Sequence, residues 1–333
     1  MIIDAYTHGI HGGYLEEIVN TGGSWAKNNV DIFIARTKEN KPHAYDVKLR
    51  VDQLDRTGID LQVVSPPPTS DSNLMPNDLP SQLVYAQALN NNMARMVEDS
   101  KGRLIGIGNV PLADFEKGGR QEMDRAINKL GLKGLIIASN LMGKPLDSPE
   151  FESFWAHAAE TGVAVLIHPV APFTTTSRSY EAEYHLVNTF GWPFETILIL
   201  SRLVFSGIME RYPTLKVVAH HLGGGIPFFW GRASESYANL VKTIGHDLPK
   251  PIFDYFSLFY YDTAVGGSAP AIKCAHEVFG ANRMIFATDA PFGPGTGEDR
   301  LETYPRVIDS LGFPEEDNIK IFETNAKVVF NLK

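Results

Sequence analysis

Histidine, tyrosine and aspartate residues stand at the ends of several apolar runs of this 333-residue chain. The first run closes with Tyr6-Thr7-His8, and later runs close with His168, with the pair His220-His221 and with Asp289. Two imidazoles and one carboxylate are a common ligand set of an open, catalytic site for a divalent metal ion. If the ends of these runs meet in space, the residues indicate metal-assisted chemistry on a small molecule.

Eight short apolar runs alternate with helical patterns along the chain, which is typical of βα units around a parallel sheet. The predicted strands are residues 1–8, 61–66, 103–110, 132–138, 163–168, 215–221, 255–263 and 283–289. The predicted helices between them are residues 47–57, 81–100, 115–130, 150–161, 194–212, 226–244 and 270–279. This order predicts an α/β fold, a (β/α)8 TIM barrel, whose active-site face is formed by the carboxyl ends of the strands.

The chain is expected to form one domain over residues 1–333. Residues 9–46 are too long for a plain βα connection, so they are predicted to form an insertion near the active-site end. Residues 298–333 read as two extra C-terminal helices, separated at Leu311-Gly312 and with Pro314 near the start of the second.

The charge and composition of the chain indicate which kinds of molecule it binds. The net charge is −9, with 30 Lys+Arg against 39 Asp+Glu and no basic run, which argues against a nucleic-acid or membrane partner. The single cysteine, Cys274, excludes an intramolecular disulfide and agrees with a reducing compartment. A secretory signal pattern and an apolar stretch that could cross a bilayer are both missing from the sequence. We therefore expect a cytoplasmic protein that acts on small molecules.

Four segments carry a resemblance to a known family. They are KVVAHHLGGGIPFFWGR at 216–232, LIHP at 166–169, ATDAPF at 287–292 and LRVDQLDRTGID at 49–60. Together they resemble the amidohydrolase-2 family, and within it aminocarboxymuconate-semialdehyde decarboxylase and related aromatic-acid decarboxylases. The resemblance implies a (β/α)8 barrel with His8, His168 and Asp289 as metal ligands and His221 as the catalytic acid or base. His220 is expected to be structural, because neighbours on a strand face opposite ways.

Tyr6 departs from the family pattern, which usually has a histidine or glutamate at this position. Strand alternation places Asp4, Tyr6 and His8 on one face, directed into the barrel. Tyr6 then either binds the metal as a phenolate, or stays neutral and hydrogen-bonds to the substrate, or fills the barrel. Two imidazoles favour zinc as the ion, whereas added oxygen ligands make manganese the alternative.

Two arginines match family positions that suit an acidic substrate. Either Arg50 or Arg232 could hold a carboxylate with its guanidinium fork, and each could equally form a surface ion pair. The resemblance implies that Arg232 reaches across a subunit interface, so we expect a homodimer or a higher homo-oligomer. The aromatic residues near these loops suit a planar substrate or simple packing: Trp192, Phe194, Phe228 and Phe292.

Our first hypothesis is a metal-dependent, non-oxidative decarboxylase of an aromatic or unsaturated carboxylic acid. A divalent cation can hold the electron density that departing carbon dioxide leaves behind, and His221 or Asp289 can then supply a proton. The alternatives are a hydrolase of an amide, lactone or C–C bond, with His221 as the base, and a hydratase. A barrel that binds a small acid without metal is a further possibility, because a fold alone does not establish a function.

Overall fold

The computed structural model describes residues 1–21, 40–67, 78–170, 184, 186–244, 247–293 and 295–333. Its strands lie where the apolar runs predict them, and most are shorter than those runs. They are β1 (Ile3–His8), β2 (Leu61–Ser65), β3 (Leu104–Gly106), β4 (Gly108–Asn109), β5 (Gly134–Ala138), β6 (Asn140–Leu141), β7 (Lys144–Pro145), β8 (Ala164–His168), β9 (Lys216–Ala219), β10 (Tyr260–Asp262) and β11 (Met284–Ile285). Strands β6 and β7 pair with each other as a small antiparallel hairpin outside the main sheet.

The remaining strands close into a barrel. Parallel pairing gives the orders β1-β2-β3 and β11-β10-β9-β8-β5-β4. Only Ile107 separates β3 from β4, and its N–H donates to Val64 O at 2.9 Å, so these two strands are one interrupted barrel strand. At the other edge the Ala5 N–H donates to Phe286 O at 2.8 Å, which joins β11 to β1. The (β/α)8 TIM barrel predicted from the sequence is therefore confirmed.

Helices cover the outside of the barrel. They are α1 (Tyr14–Thr21), α2 (Val47–Thr57), α3 (Leu79–Asp99), α4 (Arg120–Asp124), α5 (Glu152–Thr161), α6 (Trp192–Phe205), α7 (Ile208–Arg211), α8 (Ile226–Ile244), α9 (Ile252–Phe256), α10 (Ala269–Phe279), α11 (Glu298–Asp309), α12 (Glu315–Ile319) and α13 (Asn325–Phe330). Turns of π-helix extend some of them, at Phe115–Gly119, Arg125–Lys129, Val187–Gly191 and Lys320–Thr324. Among the described residues, no helix is long and apolar enough to cross a membrane.

Local capping chemistry explains why α2 has the bounds that the sequence predicts. The Asp46 carboxylate accepts a hydrogen bond from the Leu49 N–H at 3.0 Å, which satisfies one of the free donors of the first turn. Gly58 follows the helix with φ 75°, and its N–H donates to Leu54 O at 3.0 Å. Glycine adopts this left-handed conformation without a Cβ clash, so the helix stops there.

Two apolar layers hold the barrel together. The inner layer fills the barrel with strand side chains such as Ile3, Val63, Ile136 and Leu166, all nearly inaccessible to water. The outer layer lies between the strands and the helices and includes Trp155, whose indole N–H donates to Leu146 O at 2.8 Å. Because apolar side chains fill the inside of the barrel, polar side chains can gather at its rim, at the carboxyl ends of the strands.

The structure corrects one predicted strand, describes the predicted insertion only in part and shows the predicted C-terminal helices. The strand predicted over 255–263 is wrong at its start, because Ile252–Phe256 forms helix α9 and the strand covers only Tyr260–Asp262. Of the predicted insertion 9–46, the structure shows α1 and a 3-10 turn at Pro42–Ala44, while residues 22–39 lie outside the described residues. The two helical segments expected in 298–333 are present, and Gly312 separates them with φ 74°.

Candidate active site

A cavity of about 1110 Å³ opens at the carboxyl ends of the barrel strands. Its walls include polar residues from the ends of different strands, namely His8, His168, His221 and Asp289. Trp192, Phe228 and Phe292 supply apolar wall, whereas Phe194 is 59% exposed and does not line the cavity. The rim on which the sequence places the reactive residues is thus a real concave site.

His8 is the last residue of β1, and its imidazole orientation is fixed from behind. Its Nδ1 lies 3.2 Å from Pro66 O and 3.2 Å from Ser65 Oγ. The Pro66 carbonyl can only accept, so Nδ1 carries the proton and Nε2 keeps its lone pair. That Nε2 is buried without a hydrogen bond and lies 3.4 Å from Asp289 Oδ1.

His168 ends β8 with the same arrangement. Its Nδ1 donates to the Pro169 carbonyl at 2.7 Å, which leaves the Nε2 lone pair available. Burial, together with the neighbouring imidazoles of His8, His220 and His221, lowers the pKa of His168 well below its ordinary value. A histidine held neutral, with its second nitrogen anchored, is the form that binds metals.

The histidine pair lies just beyond the strand that was predicted to carry it. Strand β9 ends at Ala219, before the histidine pair, and His221 adopts a left-handed backbone with φ 57°. Strand alternation therefore does not set the orientation of His220, whose ring centroid lies 6.2 Å from that of His221. His220 stacks on Tyr6 with a centroid separation of 3.6 Å, and its centroid is 6.1 Å from that of His168.

An aspartate orients the buried His220. Nδ1 of His220 lies 2.5 Å from Asp262 Oδ2, and the other carboxylate oxygen accepts the N–H groups of His221 and Ala264. Burial lowers the pKa of His220, although the Asp262 carboxylate opposes that effect. The Nε2 atom of His220 is buried without a hydrogen-bond partner. His221 Nδ1 is also buried without a partner, but only His221 of the pair lines the cavity.

Asp289 follows β11 in a left-handed conformation with φ 62°, which is uncommon for a residue with a side chain. Its N–H donates to Tyr6 O at 3.0 Å, so the barrel closure itself positions the carboxylate. Burial alone raises the pKa of this carboxyl, but the neighbouring His8 and His221 rings and the Arg300 guanidinium outweigh it and bring the pKa below its usual value. Asp289 is therefore a partly exposed carboxylate anion that faces His8.

Tyr6 lies beneath these rings and is completely buried. Its hydroxyl has no hydrogen-bond partner among the described residues, an arrangement that costs free energy unless another group completes it. Burial and the charges of Asp289 and Asp262 raise the pKa of the phenol well above its ordinary value. The unpartnered hydroxyl is what a tyrosine poised to contact a bound ion or substrate would present.

Arg50 does not line the cavity in the described part of the chain, and its role in substrate binding stays a prediction. Its side chain is 2% exposed and hydrogen-bonds to the protein through every guanidinium nitrogen. The acceptors are His43 O at 2.8 Å, Gln62 Oε1 at 2.8 Å, Thr7 Oγ1 at 3.2 Å and His8 O. The arginine instead ties α2 to β1 and β2.

Two further arginines bear on the binding of an acidic substrate. The sequence analysis predicted one of them, Arg232, and missed the other, Arg300. Arg232 is exposed on α8 and does not line the cavity of its own chain. Arg300, on the first turn of α11, lines the cavity and places Nη1 3.3 Å from Asp289 Oδ2. It stands eleven residues beyond the strand-end motif with no pattern of its own, so no sequence signal marked it.

The distances between two pairs of these side chains are those expected for ligands of one divalent ion. Two ligands held at 2.0–2.1 Å and a tetrahedral angle lie about 3.3 Å apart, close to the 3.4 Å between His8 Nε2 and Asp289 Oδ1. Two imidazoles on one ion have centroids about 5 Å apart, close to the 5.4 Å between His8 and His168. Within the described ranges, no group of three or more His, Cys, Asp and Glu side chains is already arranged to hold an ion. The pairwise spacing and the anchored tautomers make His8, His168 and Asp289 the residues able to do so.

Comparisons with known proteins identify the family of this chain. A model of the Amidohydrolase family matches residues 41–332. The 2-amino-3-carboxymuconate-6-semialdehyde decarboxylase of Dictyostelium discoideum is 31% identical over 78% of this chain and 70% of its own length. The gamma-resorcylate decarboxylase of a Polaromonas species is 28% identical over 74% of this chain and 76% of its own.

Solved structures extend the likeness over the whole chain. The 5-carboxyvanillate decarboxylase of Novosphingobium aromaticivorans, in complex with manganese and 4-hydroxy-3-methoxy-5-nitrobenzoic acid, is 25% identical. It superposes with a TM-score of 0.84 and covers 100% of this chain and 96% of its own. Fold, matched family model and relatives all point the same way: the chain belongs to the amidohydrolase family.

Proposed function

We propose that the protein is a metal-dependent, non-oxidative decarboxylase of an aromatic or unsaturated carboxylic acid. One observation carries the proposal: His8 and His168 each anchor Nδ1 to a backbone carbonyl and leave Nε2 available, and His8 Nε2 lies 3.4 Å from the Asp289 carboxylate in a cavity with aromatic walls. The named relatives that share the family are decarboxylases, which favours loss of carbon dioxide over hydrolysis at such a floor.

The ion would be held by His8, His168 and Asp289, with Tyr6 as a further oxygen ligand. When bound, a divalent cation neutralises acidic oxygens of the substrate and stabilises the charge that develops as carbon dioxide leaves. The manganese found in the Novosphingobium enzyme supports manganese here, and zinc, which the two imidazoles favour, is the other candidate.

His221 is the proposed proton donor. Its Nδ1 is buried without a partner, and the residue lines the cavity. When the C–C bond to the carboxylate breaks, the electron pair stays on the ring carbon and carbon dioxide departs. The protonated imidazole of His221 then gives its proton to that carbon, and water restores the proton on the imidazole. Asp289 is the alternative donor.

The cavity walls favour a planar ring. Trp192 contacts His168 edge to face at a centroid separation of 5.7 Å, and Phe292 contacts His8 in the same way at 5.1 Å. Aromatic walls offer offset-stacked and edge contacts to a flat substrate and keep water away from the reacting carbon. A monocyclic aromatic acid, with its carboxylate directed toward the histidines, suits this shape.

The same proposal includes a homodimer of single-domain chains in the cytoplasm. Its support is an apolar surface beside the cavity, where Phe194, Phe228 and Phe229 are 59%, 78% and 49% exposed. A cluster of large exposed apolar side chains is typical of a protein interface. Arg232 lies on α8 next to this surface and would enter the site of the partner chain. Light scattering after gel filtration would give the mass, and a monomer would contradict this part of the proposal.

Product analysis tests the function. Manganese-loaded and zinc-loaded protein is incubated with carboxyl-13C-labelled gamma-resorcylate and 5-carboxyvanillate, beside aryl amides and lactones of the same size. We expect labelled carbon dioxide from an acid, much slower release from His221→Asn, and none from metal-free protein. Hydrolysis of the amides or lactones without carbon dioxide would overturn the proposal in favour of a hydrolase, and addition of water to an unsaturated acid would favour a hydratase.

A further inference from the structure

Arg300 is a cation at the cavity wall with hydrogen-bonding capacity to spare. Its Nη1 donates to Thr288 O at 3.1 Å and contacts Asp289 Oδ2 at 3.3 Å, which fixes one side of the guanidinium. Its Nε is buried and has no hydrogen-bond partner among the described residues. A buried, charged donor without a partner is costly, which is the mark of a group that waits for a ligand.

The backbone beside Arg300 is shaped to receive the guanidinium. A Cβ on Gly293 would lie 2.4 Å from Nε and 2.6 Å from Cζ of Arg300, so only glycine lets the arginine lie against this segment. The Lys41 ammonium donates to Gly293 O at 2.6 Å and also to Gly295 O, which ties the segment in place. Burial and the Arg300 charge lower the pKa of Lys41. Lys41 and Arg300 therefore place two cations at this backbone segment, and Arg300 contacts Asp289.

The other arginines considered for the substrate are not available in the same way. Arg50 is enclosed in the protein, and Arg232 is exposed outside the cavity of its own chain. Among the cavity-lining residues of the described ranges, Arg300 is the one that carries a permanent positive charge. Its charge touches Asp289, so it stands next to the atoms proposed to hold the ion.

We infer that Arg300 binds the carboxylate of the substrate and selects acids over neutral molecules of the same shape. This inference rests on the proposed function for the class of substrate, a monocyclic aromatic acid. The guanidinium lines the cavity and would meet the substrate carboxylate while Nη1 stays on Asp289, so the acid is oriented with its carboxylate beside the histidines. Charge-assisted bonds of this kind distinguish an acid from its amide by about 10- to 100-fold.

Equilibrium binding of two probes tests the inference. Salicylate and its neutral amide, salicylamide, are titrated into metal-free and into manganese-loaded protein by calorimetry, with wild type, Arg300→Gln and Arg300→Lys. We expect wild type to favour salicylate, Arg300→Gln to reduce the ratio of the two affinities at least tenfold, and Arg300→Lys to keep part of the preference. Arg306→Gln, an exposed arginine on the same helix, is the matched control and should leave the ratio unchanged.

The ratio of the affinities for salicylate and salicylamide distinguishes an Arg300 that binds the carboxylate from an Arg300 that only positions Asp289. If Arg300 only holds Asp289 in place, Arg300→Gln weakens both probes equally and the ratio stays at the wild-type value, which overturns the inference. Equal affinity of wild type for the two probes overturns it as well. Failure of the proposed function has another signature: no acid of the panel yields carbon dioxide, while the Arg300-dependent preference for salicylate remains.

Discussion

Replacing Arg50 with glutamine is expected to destabilise the fold. The guanidinium donates to four protein acceptors, His43 O, Gln62 Oε1, Thr7 Oγ1 and His8 O. Because the side chain is 2% exposed, water cannot take its place at these acceptors. The shorter, neutral glutamine would leave most of them without a donor.

The size of the effect follows from the number of bonds. Each net hydrogen bond is worth about 1 kcal/mol, so four give roughly 4 kcal/mol. This agrees with the roughly 3–5 kcal/mol expected when one partner of a buried charged network is removed. Arg56→Gln is the matched control, since Arg56 lies on the same helix and pairs only with Glu298 at the surface. Exposed pairs are screened by water, so this control should change the free energy of unfolding little.

Urea unfolding followed by circular dichroism measures the difference. We expect Arg50→Gln to have a lower midpoint with an unchanged dependence on urea, because the loss lies in the folded state. The reasoning is refuted if Arg50→Gln keeps the wild-type midpoint while KM for the acid rises tenfold or more. That result would make Arg50 a substrate-binding residue.

Three further changes test the site and the packing. His168→Ala should lose bound manganese on dialysis, and Tyr6→Phe should retain less of it than wild type; full retention, measured by elemental analysis, would remove the ligand role from either residue. His221→Asn should lower kcat by about 10²- to 10⁴-fold with unchanged manganese content, and undiminished turnover would exclude it as the proton donor. Gly224→Ala should melt at a lower temperature, because its Cβ would lie 2.0 Å from Pro193 O at φ 68°. Gly231→Ala, whose Cβ meets nothing within 4 Å, should raise the melting temperature slightly, and equal effects of the two changes would contradict the packing argument.

The parts of the fold that the sequence predicts well are those with local signals. Helices α2 and α8 have their predicted bounds. The bounds of α2 are set by two residues next to it in sequence, the N-cap Asp46 and the C-cap Gly58. The run before β10 shows where such signals fail. Its aromatic residues suit a strand by type, but periodicity cannot separate a short buried strand from a short buried helix, and Ile252–Phe256 is helical.

The candidate site was predictable where strand ends supply its residues. His8, His168 and Asp289 meet at the rim because parallel strands in a barrel deliver their carboxyl ends to one place. The orientation of His220 was not predictable, since it depends on a left-handed turn at His221 that no residue type announces. The burial of Arg50 depends on hydrogen-bond acceptors that are distant in sequence. The position of Arg300 at the cavity depends on the space that Gly293 leaves. Neither can be read from the sequence before the chain is folded.

The hydrogen bonds that join β11 to β1 also set the order of events during synthesis. Asp289, which faces His8 at 3.4 Å, emerges from the ribosome some 281 residues after it. A growing chain that has not reached Asp289 therefore lacks half of this pair, and a chain truncated before Asp289 lacks it permanently. Because contacts between residues so far apart in sequence form late and carry a large loop-closure cost, the reactive floor is assembled only in a finished, closed barrel.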